Sequence, residues 1–237
     1  MKFQIHRFEE TDSTSAALKR SCSELPPGTV FVAGMQRNAY GRNGRSFFCS
    51  PGSGLYFSIL LPASLPLELT AAAAVMLRRA IRRVSGVQTD IKWLNDLCIQ
   101  GRKAAGILCE VCHDAQNGPR MVLGIGVNVH DPGFEGALHS TACWLDEFAA
   151  GPVSREALLQ AFLEELGIYL AGPQSCDWID EYRHALLWKN RKVKLVQGHT
   201  VKDCVLVDAD SHGNLIVSRN RNLEVVSSGE IHLLLAE

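Results

Sequence analysis

Two apolar runs with a polar loop between them constrain the fold of this chain most. The runs TVFVAGMQ (29–36) and GLYFSILL (54–61) have the length and the β-branched and aromatic content of buried strands. The segment between them, RNAYGRNGRSFFCSPGS, is polar, contains glycine and is locally basic. The sequence therefore predicts two buried strands joined by a basic loop.

Helical periodicity is clearest at 67–85. Its apolar residues form one stripe, namely Leu69, Ala73, Met76, Leu77, Ala80 and Val84. Four arginines occupy the opposite face, which we interpret as solvated, with an anionic partner as the alternative. They are Arg78, Arg79, Arg82 and Arg83. Similar patterns predict helices at 154–170 and about 175–187, and Asp12-Ser13-Thr14 predicts the start of another helix.

Shorter strands and two hairpins are also predicted, one of them with a turn at Asn117-Gly118 that leads into RMVLGIGVNV (120–129). Phe3, Ile5 and Phe8 suggest a strand near the beginning of the sequence. The runs DLCI (96–99) and KAAGILCEVC (103–112) flank Gln100-Gly101-Arg102, a turn sequence, and therefore predict a hairpin.

The predicted secondary structure changes from helices to short strands at Trp188. Short strand patterns follow at 193–196, 201–208, 214–218 and 231–235, punctuated by glycines. An all-β unit of roughly fifty residues is too small for much independent stability, so we expect it to pack on the rest of the chain. The predicted architecture is an α+β body over residues 1–186 with a β appendage over 187–237.

Composition narrows the class of protein. The chain has 237 residues, 46% of them hydrophobic, and a net charge of -1, so no global basic field favours nucleic acid. No run approaches the roughly 18 apolar residues of a membrane helix, and the first residues do not resemble a signal peptide. The eight cysteines are then expected to be reduced thiols. We expect a soluble cytoplasmic protein.

The basic loop is the first candidate for chemistry. Arg37, Arg42 and Arg45 alternate there with Gly41 and Gly44. Glycine lets backbone N–H groups approach an anion, and a guanidinium matches the oxygens of a carboxylate or phosphate. The alternative is an exposed loop with ordinary arginines.

The second candidate is Lys92-Trp93-Leu94-Asn95-Asp96 at the end of a predicted strand. These residues could bind a nucleotide. Asp96 would lie near Mg²⁺ or its water, and Asn95 would donate hydrogen bonds from its amide. Lys103 lies across the predicted hairpin from Asp96. A strand with a polar turn is the alternative.

A third candidate is GIGVNV (124–129). Its glycines would let a flat ligand lie against the backbone, and Asn128 could bind an adenine edge. The segment lacks the third glycine and the strand–turn–helix context of a dinucleotide fingerprint. The run CEVCH (109–113) matches a haem-attachment pattern, but cysteines three apart on a strand point to opposite faces, so buried side chains explain them better.

Together these segments resemble the catalytic domain of biotin protein ligases. The matching motifs, in family order, are Asp12-Ser13-Thr14, Gln36 with Gly41-Arg42-Asn43-Gly44-Arg45, Lys92-Trp93-Leu94-Asn95-Asp96, Lys103-Ala104-Ala105-Gly106-Ile107-Leu108 and Gly124-Ile125-Gly126-Val127-Asn128. The sequence departs from the family pattern at Ser15 (usually Asn), at Ala39 and Tyr40 (usually Gly-Arg) and at Leu94 (usually Pro).

The resemblance implies a class II aminoacyl-tRNA-synthetase-like catalytic domain, with a mixed sheet flanked by helices, and a small SH3-like β-barrel at the C-terminus. It implies an ATP-dependent, Mg²⁺-assisted ligase that forms biotinyl-5'-AMP and transfers biotin to a lysine of a biotin carboxyl carrier protein. Because Asp12-Ser13-Thr14 comes so early, we expect no N-terminal DNA-binding domain and no specific binding of DNA. Membrane binding is not expected, and a homodimer is left open.

The resemblance also assigns roles to particular residues. Lys103, Arg42 and Asp96 are the expected catalytic residues, with Asp96 also placed indirectly near Mg²⁺. The expected biotin contacts are Ser13, Thr14, Gln36, Lys103, Gly106 and Gly124. The expected nucleotide contacts are Arg42, Arg45, Asn95 and Asn128.

Two other functions compete with this one. A lipoate or octanoate protein ligase or transferase shares the catalytic fold, and a catalytically impaired biotin-binding protein is suggested by Tyr40 alone. Pyrophosphate exchange separates the three, because it depends on biotin, depends on lipoate or is absent, respectively.

Overall fold

The computed structural model describes residues 1–63, 65, 68–114, 118–172 and 178–233. Within these residues the first seven strands form one mixed sheet. They are β1 (Gln4–Thr11), β2 (Thr29–Gln36), β3 (Gly54–Pro62), β4 (Asp90–Lys92), β5 (Asp96–Ile99), β6 (Arg102–Asp114) and β7 (Gly118–Asn128). Their spatial order is β1-β2-β3-β7-β6-β5-β4, with β1 and β2 parallel and the other neighbours antiparallel.

The helices cover the two faces of this sheet unequally. They are α1 (Thr14–Arg20), α2 (Leu69–Ser85), α3 (Ala137–Thr141), α4 (Arg155–Ala171) and α5 (Trp178–Ala185). In β3, Phe57 and Ile59 point to the large core beneath α2 and α4, whereas Leu60 points to a small core with Leu18 of α1. This alternation follows from the two-residue period of a strand. No helix among the described residues is long and apolar enough to cross a membrane.

The predicted elements of the body agree with these bounds. Both apolar runs are strands that pair with each other, and the hairpin of β5 and β6 turns at Gln100 and Gly101, both with positive φ. Ser13 caps α1, accepting a hydrogen bond from the Ala16 N–H. Residue 67 and residues 175–177, where two helices were predicted to begin, lie outside the described residues. The strand predicted to end at Lys92-Trp93-Leu94-Asn95-Asp96 is β4, whereas the sequence did not reveal α3. The strands of the second predicted hairpin, β6 and β7, pair with each other, and Asn117 in its predicted turn lies outside the described residues.

The arginine face of α2 is solvated, as the sequence suggested, at Arg82 and Arg83 but not at Arg78 and Arg79. Arg78 Nη1 lies 2.5 Å from Glu181 Oε1, and Arg79 Nε lies 2.7 Å from Glu181 Oε2. Arg83 Nη2 lies 2.7 Å from Glu164 Oε2. The interpretation was wrong for Arg78 and Arg79, whose side chains are mostly buried, because carboxylates of α4 and α5 neutralise them.

A second sheet lies at the C-terminal end of the described chain. Its strands are β8 (Lys192–Gln197), β9 (Thr200–Ala209), β10 (Leu215–Arg219), β11 (Asn222–Val226) and β12 (Glu230–Leu233). They are antiparallel in the order β11-β10-β9-β8-β12. The sequence missed β11, which follows a tight turn at Asn220 and Arg221, both with positive φ.

The C-terminal sheet packs closely on the body, as its small size led us to expect. Trp93 Nε1 donates a hydrogen bond of 3.1 Å to the Gly213 carbonyl, and Arg183 Nε donates one of 2.9 Å to the Ala209 carbonyl. Gly213 has φ +78°, and a Cβ atom there would lie 2.7 Å from Cβ of Ala71. The apolar core is therefore continuous between the two sheets.

Candidate active site

Three glycines form the floor of a cavity on the face of the large sheet that bears α1. Gly124 and Gly126 are two residues apart on β7 and therefore share a face. Gly106 of β6 pairs with Gly126, and Ser58 of β3 pairs with Gly124. A Cβ atom on Gly124 would overlap Ser15 Oγ, and one on Gly126 would lie 2.9 Å from the Phe47 ring. The absence of side chains at these positions lets Ser15 and Phe47 pack closely on the sheet, and all three glycines line a cavity of about 140 Å³.

Buried polar groups form one end of this cavity. The Thr14 N–H and hydroxyl donate to Gln36 Oε1 at 2.7 and 3.1 Å. The Ser58 hydroxyl lies 2.7 Å from that of Thr14 and 2.9 Å from that of Ser15. Ser13, beside them, caps α1 and also lines the cavity. Because hydroxyls can rotate and either donate or accept, this end can bind a polar ligand that has both donors and acceptors.

An ion pair lies in the middle of the cavity. Lys103 Nζ is 2.7 Å from Asp96 Oδ1, without the alignment of a hydrogen bond, and 5.7 Å from the centre of the Phe47 ring. The Lys103 carbonyl accepts a hydrogen bond from the Cys143 N–H at 2.9 Å. The backbone of Lys103 is therefore fixed, while its ammonium group can exchange Asp96 for the anion of a ligand.

The basic loop closes the cavity against the C-terminal sheet. Arg42 begins a short 3-10 turn, and its Nη1 donates to the Gly229 carbonyl at 3.2 Å. Arg45 Nη1 lies 2.9 Å from Glu230 Oε2. Glu230 and Ile231 also line the cavity, so the C-terminal sheet completes its wall.

The charges around the cavity favour an anion. Among the described residues, the lining contains four cationic side chains and two carboxylates. The cationic side chains are those of Arg42, Arg45, Lys92 and Lys103, and the carboxylates are those of Asp96 and Glu230. Guanidinium and ammonium groups in a partly enclosed space suit carboxylate and phosphate oxygens.

The two predicted asparagines bind backbone carbonyls. Asn95 Nδ2 donates to the Ile107 carbonyl at 2.8 Å, and Asn128 Nδ2 donates to those of Cys143 and Lys103 at 3.0 and 3.4 Å. Asn95 lines the cavity, whereas Asn128 is buried behind it. Both amides hold the strand that carries Lys103, and their contact with a nucleotide stays a prediction.

Ten of the eleven residues predicted for the site line the same cavity. They are Ser13, Thr14, Gln36, Arg42, Arg45, Asn95, Asp96, Lys103, Gly106 and Gly124. Sequence reasoning missed four other residues of the lining, namely Phe47, Ser58, Glu230 and Ile231. The two-residue period of β3 was the available signal for Ser58, because it places that hydroxyl opposite the apolar face.

Neither a resident metal centre nor a reactive thiol is indicated by the lining. Within the described ranges, no group of three or more His, Cys, Asp or Glu side chains could hold a metal ion. Cys49 lies behind Gln36, whose Nε2 donates to its Sγ at 3.7 Å. Burial raises the pKa of the Cys49 thiol to about 11, so it stays protonated at neutral pH.

Comparison with known proteins decides the family. A sequence profile of the biotin/lipoate A/B protein ligase family matches residues 7–128, slightly more than half of the chain. The chain belongs to this family. The matched residues include α1, the basic loop and the strands of the cavity floor, so the biotin/lipoate ligase core contains most of the candidate site.

Similarity to individual members extends further. The bifunctional ligase/repressor BirA of Bacillus subtilis is 35% identical over 60% of this chain, and the chain spans only 45% of that protein. The biotin–[acetyl-CoA-carboxylase] ligase of Mycobacterium tuberculosis is 28% identical over 96% of the chain and 88% of its own length.

A solved structure of the same family includes the C-terminal sheet. The biotin protein ligase of Aquifex aeolicus, determined in complex with biotin and ATP, is 25% identical and superposes with a TM-score of 0.86. The superposition covers 98% of this chain and 99% of that protein. The biotin/lipoate ligase core and the C-terminal sheet therefore occur together in both.

Proposed function

We propose that this chain is an ATP-dependent biotin–[acetyl-CoA-carboxylase] ligase, which forms biotinyl-5'-AMP and transfers biotin to a lysine of a biotin carboxyl carrier protein. The observation that carries the proposal is a single cavity with a buried hydrogen-bonding end and a cationic end. Biotin has the matching chemistry, with a cyclic urea at one end and a carboxylate at the other. The Aquifex aeolicus protein, bound to biotin and ATP, supports the same assignment.

The polar end distinguishes biotin from lipoate. The urea has two N–H donors and one carbonyl acceptor, which suit Ser13, Thr14, Gln36 and Ser58. A dithiolane or an alkyl chain has no comparable groups, and covering buried hydroxyls and an amide with it would sacrifice hydrogen bonding. The glycine floor lets the flat ring system lie against β6 and β7.

The cationic end addresses the central difficulty of the reaction, which is that two anions must meet. An oxygen of the biotin carboxylate attacks the α-phosphorus of ATP, a new O–P bond forms, and pyrophosphate leaves with the electrons of the broken P–O bond. Lys103 binds the carboxylate, while Arg42 and Arg45 neutralise phosphate charge. Mg²⁺ bound to ATP would stabilise the pyrophosphate leaving group, and Asp96 is the carboxylate that would hold this ion or its water.

The second step needs no covalent intermediate on the enzyme. The uncharged amine of the carrier's lysine attacks the acyl carbon of biotinyl-5'-AMP, an amide forms, AMP leaves, and the nitrogen loses one proton. Lys103, Arg42 and Arg45 remain next to the phosphate that departs. Closing the loop over the mixed anhydride also limits its hydrolysis by water.

We assign residues 1–186 to the catalytic domain and 187–237 to an SH3-like domain. The division into two sheets supports this boundary, and the Leu187 N–H still donates to the Ile91 carbonyl of β4. Asn95 and Asn128 are assigned to the nucleotide side, where they act at least by fixing β6.

Pyrophosphate exchange tests the proposed function directly. The purified protein is incubated with ATP, labelled pyrophosphate and either biotin, lipoate or octanoate. Exchange that depends on biotin supports the ligase. Exchange that depends on lipoate or octanoate replaces it with the related activity, and biotin binding without exchange replaces it with a binding protein.

A further inference from the structure

Tyr40, at the start of the basic loop, belongs to a three-residue contact outside the chemistry described above. Its hydroxyl donates to Glu110 Oε2 at 2.9 Å, and Lys19 Nζ donates to Glu110 Oε1 at 2.8 Å. Lys19 Nζ also lies 5.2 Å from the centre of the Tyr40 ring. We call Lys19, Tyr40 and Glu110 the tyrosine clasp.

The clasp joins the loop to the two elements that build the site. Lys19 is on α1, which begins with the cap Ser13 and with Thr14, and Glu110 is on β6, which carries Lys103. The side chains of Lys19 and Glu110 are 30% and 26% exposed, so their ion pair is partly shielded from solvent. A hydrogen bond to a carboxylate in such a place is stronger than one between neutral groups.

The base of the loop is fixed relative to Tyr40. Tyr40 pairs with Ser46 in an isolated β-bridge, and the Gly41 N–H donates to the Arg45 carbonyl at 2.8 Å. Arg42 and Arg45 therefore project from a short closed turn whose two ends meet at Tyr40. Holding Tyr40 in place limits the positions that both guanidinium groups can reach.

We infer that Tyr40 is a positioning residue, whose hydroxyl holds the base of the loop on Glu110 so that Arg42 and Arg45 are partly ordered before an anionic substrate binds. The inference rests on the proposed function for the identity of that substrate. A loop ordered beforehand loses less conformational entropy on binding. Burial raises the pKa of Tyr40, so the hydroxyl remains a donor at neutral pH.

The test compares Tyr40→Phe with the wild-type protein. This change keeps the ring and removes only the hydroxyl. We expect the Gly41 and Phe47 amides, both hydrogen-bonded within the loop, to exchange roughly tenfold faster in the free protein. The KM for biotin and ATP should rise about three- to tenfold, while kcat stays within about twofold, because the reacting groups are untouched.

Two further variants test whether Tyr40 acts through Glu110. Glu110→Ala should reproduce the Tyr40→Phe effects, and the double variant should be no worse than Glu110→Ala alone, since both act through one contact. Glu156→Gln breaks the exposed Arg7–Glu156 ion pair far from the loop and serves as the matched control. Additive effects on KM, or a control equal to Glu110→Ala, would contradict a shared clasp.

The outcomes separate this inference from the proposed function. If wild-type protein shows no biotin-dependent exchange, the function fails, while amide exchange still reports whether the hydroxyl orders the loop. If the wild type is active and Tyr40→Phe changes neither loop protection nor KM, the inference is wrong. A fall in kcat at constant KM also overturns it, because that pattern belongs to a residue acting on the reaction itself.

Discussion

Arg45 and Glu230 form an ion pair of 2.9 Å between the basic loop and the last strand of the C-terminal sheet. Arg42 reinforces the contact through the Gly229 carbonyl at 3.2 Å. Both arginines that we assign to phosphate therefore contact the C-terminal sheet. A phosphate that binds these guanidinium groups would compete with the C-terminal sheet for them, so the C-terminal sheet takes part in the energetics of the loop.

Glu230→Gln should loosen the loop without unfolding the protein. We expect faster amide exchange at 42–46 in the free protein and restored protection with biotin plus ATP, because the arginines then bind phosphate. Stability should change by less than ~1 kcal/mol, since the Arg45 side chain is 69% exposed. Glu224→Gln, whose partner is Arg219 in the same sheet, is the control. Equal loop protection with and without ligands would contradict the exchange of partners.

Lys103→Ala should sharply reduce biotin-dependent pyrophosphate exchange in a folded protein. Losing the charge-assisted contact to the reacting carboxylate should raise the barrier by about 2–4 kcal/mol. Lys189→Ala, which removes an ion pair with Asp208 outside the cavity, controls for the loss of a lysine. Exchange within a few-fold of the wild-type rate would remove Lys103 from its assigned role.

Gly124→Ala should block the cavity floor. A methyl group there overlaps Ser15 Oγ and lies 3.4 Å from Ser58 Oγ, so it disturbs the buried hydroxyls as well as narrowing the space. We expect biotin affinity to fall at least about tenfold, with a stability loss of about 1–3 kcal/mol from overpacking. Calorimetric titration with biotin measures the first and thermal unfolding the second. Gly151→Ala, where the methyl group meets nothing within 4 Å, should change neither.

Glu181 should make stability depend on acid pH. Burial opposes its ionisation, but hydrogen bonds and charges from Arg79 and Arg78 prevail and hold the pKa of Glu181 below its usual value. The lowered pKa stabilises the folded state above the unfolded-state pKa of about 4.3, and this contribution is lost as pH falls through the folded-state value. Glu181→Gln should therefore cost about 1–3 kcal/mol in urea unfolding at pH 7 and clearly less near pH 3. An equal cost at both pH values would show that charge is not the cause.

Most strands and helices of the body could be predicted because each is marked by residues within its own segment. The run at 54–61 is apolar enough to identify β3, and the turn residues Gln100 and Gly101 identify the hairpin of β5 and β6. The ordered motifs predicted ten cavity residues because each motif lies within a strand of the large sheet or directly beside one, on the side of the cavity. β11 was missed although Leu223 and Val225 recur at the two-residue period of a strand, because the run is only five residues long and its apolar face is exposed.

Partners distant in the sequence could not be predicted. A helical pattern shows that Arg78 lies opposite the apolar stripe, but it does not show that Glu181, 103 residues later, lies against it. Likewise, the sequence near Arg45 contains nothing that points to Glu230. Asn128 looks like a ligand residue in its motif, and only the fold shows that its amide binds backbone carbonyls.

Tyr40→Arg tests the departure of this chain from its family's loop. If residue 40 faces the ligand, restoring the arginine lowers the KM for biotin at constant kcat. If residue 40 points away from the ligand, the KM does not change. The structure places Tyr40 in the cavity lining with its hydroxyl on Glu110. An arginine at position 40 can still bind Glu110, which already binds Lys19. The net charge of residues 19, 40 and 110 then rises from zero to one, and the contact between the loop and Glu110 is kept.

We therefore expect Tyr40→Arg to retain loop protection, unlike Tyr40→Phe, and to lower the KM for biotin by less than about tenfold, because Glu110 screens part of the new charge. The kcat should stay within about twofold. A biotin titration of the initial rate, a melting curve and loop amide exchange measure the three quantities. If Tyr40→Arg instead raises KM and loses protection as Tyr40→Phe does, the phenolic hydroxyl itself is required. A large fall in kcat would refute both explanations of Tyr40, because neither lets residue 40 act on the reacting atoms.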